Sequence, residues 1–130
     1  MTTLLLDSHV LHWWAAEPER LSVTAVDAIE VADDLAVASI TWFELAWLAR
    51  HDRIVVGVPI RTWLETMAES VRTIGTTPAV ADTAVSLPAS FPGDLADRII
   101  FATAVEHGLH LVTKDRRIRS HRHARLVAIW

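Results

Sequence analysis

Short apolar runs with no internal alternation recur along the chain, separated by segments whose apolar residues repeat with helical spacing. Leu4-Leu5-Leu6 makes residues 3–6 a strand with no solvent-facing side, the pattern of a strand covered on both faces. Leu35-Ala36-Val37-Ala38, Leu109-His110-Leu111-Val112 and Leu126-Val127-Ala128-Ile129 read the same way, and residues 73–76 can form another short strand. Helices are predicted between them: over 8–16, from the N-cap Ser22 to about Asp33, from the cap Thr41 onward, over about 60–72, from Pro78 through Val85, and over about 95–107. Asp94 caps the last of these and Gly108 ends it. Pro18 discourages continuation of the first helix, residues 54–59 read as a loop or short strand, and Leu87 to Gly93 is the clearest loop. Strands alternating with helices predict an α/β fold in one domain, 1–130. Its centre is a mostly parallel sheet of four to five strands flanked by helices.

A length of 130 residues suits one domain, and 52% apolar with 22% charged residues is an ordinary globular composition. The absence of cysteine excludes disulfides, thiolate metal sites and thiol catalysis, and fits a reducing compartment. The amino terminus has no basic segment, and its apolar run stops at Asp7. No apolar run approaches the ~20 residues of a membrane span, so a soluble, cytoplasmic protein without a membrane partner is expected.

The net charge of −4 conceals an asymmetry: residues 1–113 carry 6 basic against 15 acidic side chains, and residues 114–130 carry 6 against 1. The basic block is Lys114, Arg116, Arg117, Arg119, Arg122 and Arg125. Such a cluster is either a solvated terminus or the footprint of a phosphate backbone.

Four acids fall where the surrounding sequence is apolar. Asp7 follows the first strand, Glu44 sits inside Trp42-Phe43-Glu44-Leu45-Ala46-Trp47, Asp97 precedes Arg98-Ile99-Ile100-Phe101, and Asp115 follows the strand at 109–112 across Thr113-Lys114. Burying a carboxylate costs desolvation unless a positive group meets it. With no thiol and many oxygen ligands, the cation that suits these acids is hard, Mg²⁺ or Mn²⁺. In open α/β sheets ligands gather at the carboxyl ends of the strands, where all four segments and Asp94 are expected to converge. The competing structural role for Glu44 is a capping box with Thr41, three residues before it.

With those residues assembled, the chain resembles the PIN-domain ribonucleases and, among them, the VapC-type toxins of bacterial toxin–antitoxin pairs. The resemblance rests on Leu4-Leu5-Leu6-Asp7-Ser8-His9, Ala38-Ser39-Ile40-Thr41-Trp42-Phe43-Glu44-Leu45, Gly93-Asp94-Leu95-Ala96-Asp97-Arg98-Ile99-Ile100-Phe101-Ala102-Thr103-Ala104 and Leu111-Val112-Thr113-Lys114-Asp115. Each motif is short, but their order and spacing span the chain. The sequence departs from the subgroup's Asp-Pro-Phe-Asp-Arg at Leu95-Ala96, and lacks its histidine near Phe91 and Pro92.

The resemblance implies that Asp7, Glu44, Asp97 and Asp115 form an acidic metal-binding quartet, with Asp94 auxiliary and Ser8 and Thr113 supporting. It implies an endoribonuclease that uses Mg²⁺ or Mn²⁺, with Arg98, Lys114, Arg116, Arg117 and Arg119 holding RNA. A homodimer and a cognate antitoxin are implied as partners. Six Trp residues in so short a chain are compatible with an apolar groove for a partner helix or with a Trp-rich core.

Rival chemistries meet obstacles. A zinc site built on His9 and His12, or on His121 and His123, lacks the usual third and fourth ligands. A haloacid-dehalogenase-like phosphatase needs a second acid two residues after Asp7, where His9 stands, and a receiver domain needs an early acid pair. A degenerate PIN module that only binds RNA would ordinarily have lost one of the acids.

Overall fold

The computed structural model describes residues 1–121, 123 and 127–130. Its elements follow in order as β1 (Thr3–Leu6), α1 (Ser8–Ala16), a 3-10 turn (Pro18–Arg20), α2 (Val23–Val31), β2 (Asp34–Ala38), α3 (Ile40–Arg50), α4 (Ile60–Ala68), β3 (Arg72–Ile74), α5 (Pro78–Ser86), α6 (Leu95–Glu106), β4 (His110–Val112), α7 (Arg116–Ser120) and β5 (Ala128–Ile129). The five strands form one sheet in the order β3-β2-β1-β4-β5, and every pairing is parallel.

The unalternating apolar strands are explained by helices on both faces. Leu4 and Leu6 point into a core shared with Val10, Leu11, Ala25 and Leu45, on the side of α1 to α4. Leu5 points the other way, into a core with Ile100, Phe101, Ala104 and Ile118 from α6 and α7. The strand order reverses at β1, which pairs with β2 on one edge and β4 on the other. That reversal opens a crevice at the carboxyl ends of β1 and β4, the place where such sheets bind ligands.

Local signals in the sequence account for most boundaries. The Ser22 side chain accepts from the Ala25 amide and Thr77 accepts from Val80, each starting its helix, while Pro78 occupies the first turn of α5. Three boundaries depart from expectation. The predicted helix over 60–72 stops at Ala68, because Arg72 pairs with Ala36 as sheet and its guanidinium reaches Asp34 at 2.9 Å. Thr41 is not a cap: α3 begins earlier, at Ile40, and Thr41 is buried in its first turn, accepting from the Ser8 hydroxyl at 3.1 Å. The short α7, which no apolar periodicity announced, starts at Asp115, whose carboxylate accepts from the amides of Arg117 and Ile118. Of the predicted last strand, Leu126 lies outside the described residues, as do Arg122 and Arg125.

Candidate active site

Five carboxylates from four separate segments line one cavity of about 480 Å³ at the carboxyl end of the sheet: Asp7, Glu44, Asp94, Asp97 and Asp115. Asp7 arrives on the last residue of the β1–α1 junction, its amide donating to Val112 of β4 at 3.0 Å. One of its carboxylate oxygens accepts from the Ser8 amide at 2.8 Å, and the other from the Thr113 hydroxyl at 2.7 Å. Thr113 thus ties the end of β4 to the end of β1, and its hydroxyl also accepts from the Asp115 amide at 3.1 Å. Both supporting residues, Ser8 and Thr113, are fully buried.

Glu44 projects from the second turn of α3. The capping box considered for it is absent, since Thr41 is not the cap and Ser39, the capping position, makes no side-chain bond to the helix amides, its hydroxyl meeting that of Thr76 at 3.5 Å instead. The capping box belongs instead to Asp94 and Asp97. The Asp94 carboxylate accepts from the Asp97 amide and the Asp97 carboxylate accepts from the Asp94 amide, both at 3.1 Å. This reciprocal pair holds the two acids side by side at the start of α6 and aims them at Glu44. Ligand atoms of Glu44, Asp94 and Asp97 all lie within 4.8 Å of one another.

The electrostatics record the crowding. Burial pushes the Asp97 carboxyl up to about 7, and the charge of Asp7, followed by those of Asp94 and Glu44, adds to the rise. Asp7 is raised mainly by burial, against the lowering effect of its bonds to Thr113 and Ser8. Glu44 is raised by burial and by the charges of Asp7 and Asp94, while the nearby Ser8 hydroxyl works the other way. Among the described residues, Asp115 is the one acid of the five with an ion pair, to Arg117 at 3.4 Å. A cavity in which burial and neighbouring charge hold Asp7, Glu44 and Asp97 back from ionisation fits a hard divalent cation, which would relieve the repulsion among these acids.

The predicted basic residues divide. The Lys114 side chain enters the same cavity, its ammonium 5.3 Å from the centre of the buried Trp13 ring. Arg116 and Arg117 are exposed on α7, whereas the half-buried Arg119 donates to the Lys114 carbonyl at 3.4 Å. Arg98 turns away from the acids: its guanidinium donates to the carbonyls of Leu87, Pro88 and Phe91 at 3.2 to 3.3 Å and lies against the Phe91 ring. Of the four histidines weighed for zinc, His9 lines the acidic cavity, His12 faces Glu17 and the edge of Trp63, and His121 stacks on His123. Among the described residues, no group of three side chains placed to share one ion includes a histidine.

Beside the apolar wall of Trp13 and Leu48, His9 and Gly93 belong to the site without having been assigned to it from the sequence. His9 borders the cavity two residues after Asp7, a spacing that pointed there had α1 been placed against it. Gly93 has φ of +100°, and a Cβ at that position would stand 2.6 Å from both Cβ and Oδ2 of Asp97. A glycine directly before a capping aspartate was the available signal.

Five of the six Trp residues, at 13, 14, 42, 63 and 130, pack into or against the core. Trp47 is exposed with Phe43 on α3, where they border a second cavity of about 340 Å³ with Leu95, next to Glu44 and Asp94. The tryptophans are therefore mostly core, with Trp47 exposed beside this cavity.

Comparison with known proteins agrees with this architecture. The family model described as "PIN domain" matches residues 4–124. The chain is 66% identical over all 130 residues to "Ribonuclease VapC22" of Mycobacterium tuberculosis (strain ATCC 25618 / H37Rv), covering 100% of both. The fold matches a toxin–antitoxin complex from Klebsiella pneumoniae (TM-score 0.68, 23% identity, 92% of each chain). It also matches a DNA-bound VapBC structure from Salmonella typhimurium (TM-score 0.69, 17% identity, 90% of each chain). With this sheet order, this carboxylate cavity and a full-length relative of that kind, the chain belongs to the PIN-domain family, on its VapC branch.

Proposed function

We propose that this protein is a metal-dependent endoribonuclease acting as the toxin of a toxin–antitoxin pair. The observation that carries the reading is the meeting of five carboxylates, from the ends of β1 and β4 and the starts of α3 and α6, in one cavity of a PIN fold. The full-length relative named a ribonuclease supports the substrate class.

Asp7, Glu44, Asp97 and Asp115 would hold Mg²⁺ or Mn²⁺, with Asp94 assisting from its place beside Asp97. A bound divalent cation supplies an activated water for attack on the phosphodiester and neutralises charge on the phosphate, so no protein nucleophile is required. Ser8 and Thr113 orient the carboxylates from behind. Lys114 meets the RNA backbone at the cavity, with Arg116 and Arg117 exposed alongside it and Arg119 steadying the Lys114 carbonyl. Arg98 contributes by fixing the loop that precedes Asp94. Attack by water leaves a 5′-phosphate and a 3′-hydroxyl.

A cognate antitoxin would cover this end of the molecule, in keeping with the complexes formed by the structural neighbours. The exposed Phe43, Trp47 and Leu95 beside the acids offer apolar surface to a protein partner, including a second copy of the chain.

Antitoxin-free protein incubated with a mixed RNA pool is expected to cut it with Mg²⁺ or Mn²⁺ and not with chelator. Products should carry 5′-phosphates, and Asp7→Asn or Asp97→Asn should lower the rate by about 100-fold or more. Folded, metal-loaded protein that binds RNA without cutting it would instead support a binding-only PIN module.

A further inference from the structure

A second groove runs on from the acidic cavity. The two share His9, Trp13 and Leu48 as a common wall, and the second, about 660 Å³, continues past Arg20 and Arg53. Its charge is opposite in character to its neighbour's. The first is lined by five acids, whereas this groove holds Arg20 and Arg53 against the single acid Glu17, with His12 kept toward its neutral form by burial. Residues 1–113 contain only six basic side chains, and two of them border this one groove. Arg20 shares Glu17 with His12, at 3.7 and 3.4 Å, and Arg53 has no ion pair among the described residues. Positive charge is therefore left over.

The shared wall also organises that charge. The guanidinium of Arg20 lies 5.6 Å from the centre of the Trp13 ring, and the ammonium of Lys114 lies 5.3 Å from the same ring. Trp13 is 8% exposed and packs against Trp130, so it serves as a platform for cations and offers no face to a base. One ring thus holds a cation from each compartment at their junction.

We propose that this groove binds the phosphates of single-stranded RNA flanking the cleavage point, with Arg20 and Arg53 as backbone contacts and Trp13 positioning Arg20 and Lys114. The inference rests on the ribonuclease reading above. Carboxylates committed to a cation repel the rest of a polyanion, so phosphates beyond the scissile one require separate positive contacts, and the continuous groove supplies them. Contacts of this kind hold RNA without reading its sequence.

The test measures binding of a mixed-sequence RNA of roughly 16 nucleotides to full-length Asp7→Asn protein across a range of salt, with and without Arg20→Ala and Arg53→Ala. Each arginine removed should weaken binding several-fold and lower the slope of log affinity against log salt by about 0.7, the single-strand value for one phosphate contact. Arg20→Lys and Arg53→Lys should largely keep the slope, and Arg61→Ala, on the exposed side of α4, should leave binding unchanged. In the protein with Asp7 intact, the alanine variants should raise KM and leave kcat nearly as it was. Unaltered affinity and slope in both alanine variants would overturn the proposal while leaving the ribonuclease reading in place. So would variants that bind RNA normally but release a co-expressed antitoxin, which would make the groove a protein seat. Parent protein that neither binds nor cuts RNA would overturn the ribonuclease reading, and this inference with it.

Discussion

Gly93 shows how closely one residue can set the geometry of a site. Its φ of +100° is one that side-chain-bearing residues rarely adopt, and its missing Cβ leaves the space that the Asp97 carboxylate occupies. Asp97 cannot yield freely, because its carboxylate is held by the Asp94 amide in the capping box. Gly93→Ala is expected to cost about 1–3 kcal/mol of stability from backbone strain and the clash and to reduce metal-dependent cleavage about tenfold or more by displacing Asp97. Thermal unfolding and cleavage assays measure the two effects. In an Asp97→Gly background, which removes both the Cβ and the carboxylate from that contact, the same substitution should cost less stability, a non-additivity that a double-mutant cycle reads directly. The acids themselves were legible as residues, since a carboxylate beside an apolar run is conspicuous. The need for a glycine beside one of them was not, because it depends on a side chain four residues away folding back over the loop.

At the scale of elements, α6 and the loop before it form one device. The Arg98 side chain leaves the first turn of α6 and donates to three carbonyls of the 87–93 segment, whose own amides are little used in regular structure. A guanidinium can serve three acceptors in a plane, which an ammonium cannot. Arg98→Ala is expected to destabilise the protein by about 2 kcal/mol through the loss of charge-assisted hydrogen bonds. It should also accelerate amide exchange across residues 87–93, with Arg98→Lys recovering only part of either. The reading of Arg98 as an RNA contact followed from its place next to Asp97 in the sequence. Its rotamer, set by the loop folding under α6, is information that adjacency does not contain. The boundaries of α4 and α3 carry the same lesson. Helical periodicity through residue 72 yielded to sheet pairing at Arg72, and the good capping residue Thr41 was drawn inside the helix to meet Ser8 of α1.

For the whole molecule, the fold confines acids from distant segments to one small volume, and that confinement should appear in its stability. Asp97 is pushed up to about 7 from an ordinary 3.8, and Asp7 and Glu44 shift in the same direction, burial being the first cause in each case. A carboxyl that holds its proton more tightly when folded stabilises the fold below its unfolded pKa, and that contribution disappears as pH rises through the folded value. Metal-free protein is therefore expected to lose melting temperature between about pH 4 and pH 7, and to be less stable at about pH 8 than at about pH 5. Mg²⁺ or Mn²⁺ should restore stability at the higher pH and do little at the lower, where protons compete for the same oxygens. Asp97→Asn should flatten the pH dependence, as a series of thermal melts would show.

The sequence by itself determined the alternation of strands and helices, the coverage of the sheet on both faces, and which acids are out of place in apolar surroundings. Those features follow from local burial patterns and capping chemistry, which act within a few residues along the chain. The parallel pairing of β1 with both β2 and β4 was decided only by the tertiary structure, as was the grouping of Glu44 with Asp94 and Asp97 within 4.8 Å. So were the turning of Arg98 into its loop and the placing of Trp13 between Arg20 and Lys114. Each of these depends on which side chains from remote segments compete for the same space and the same partners, and that competition exists only once the chain has closed on itself.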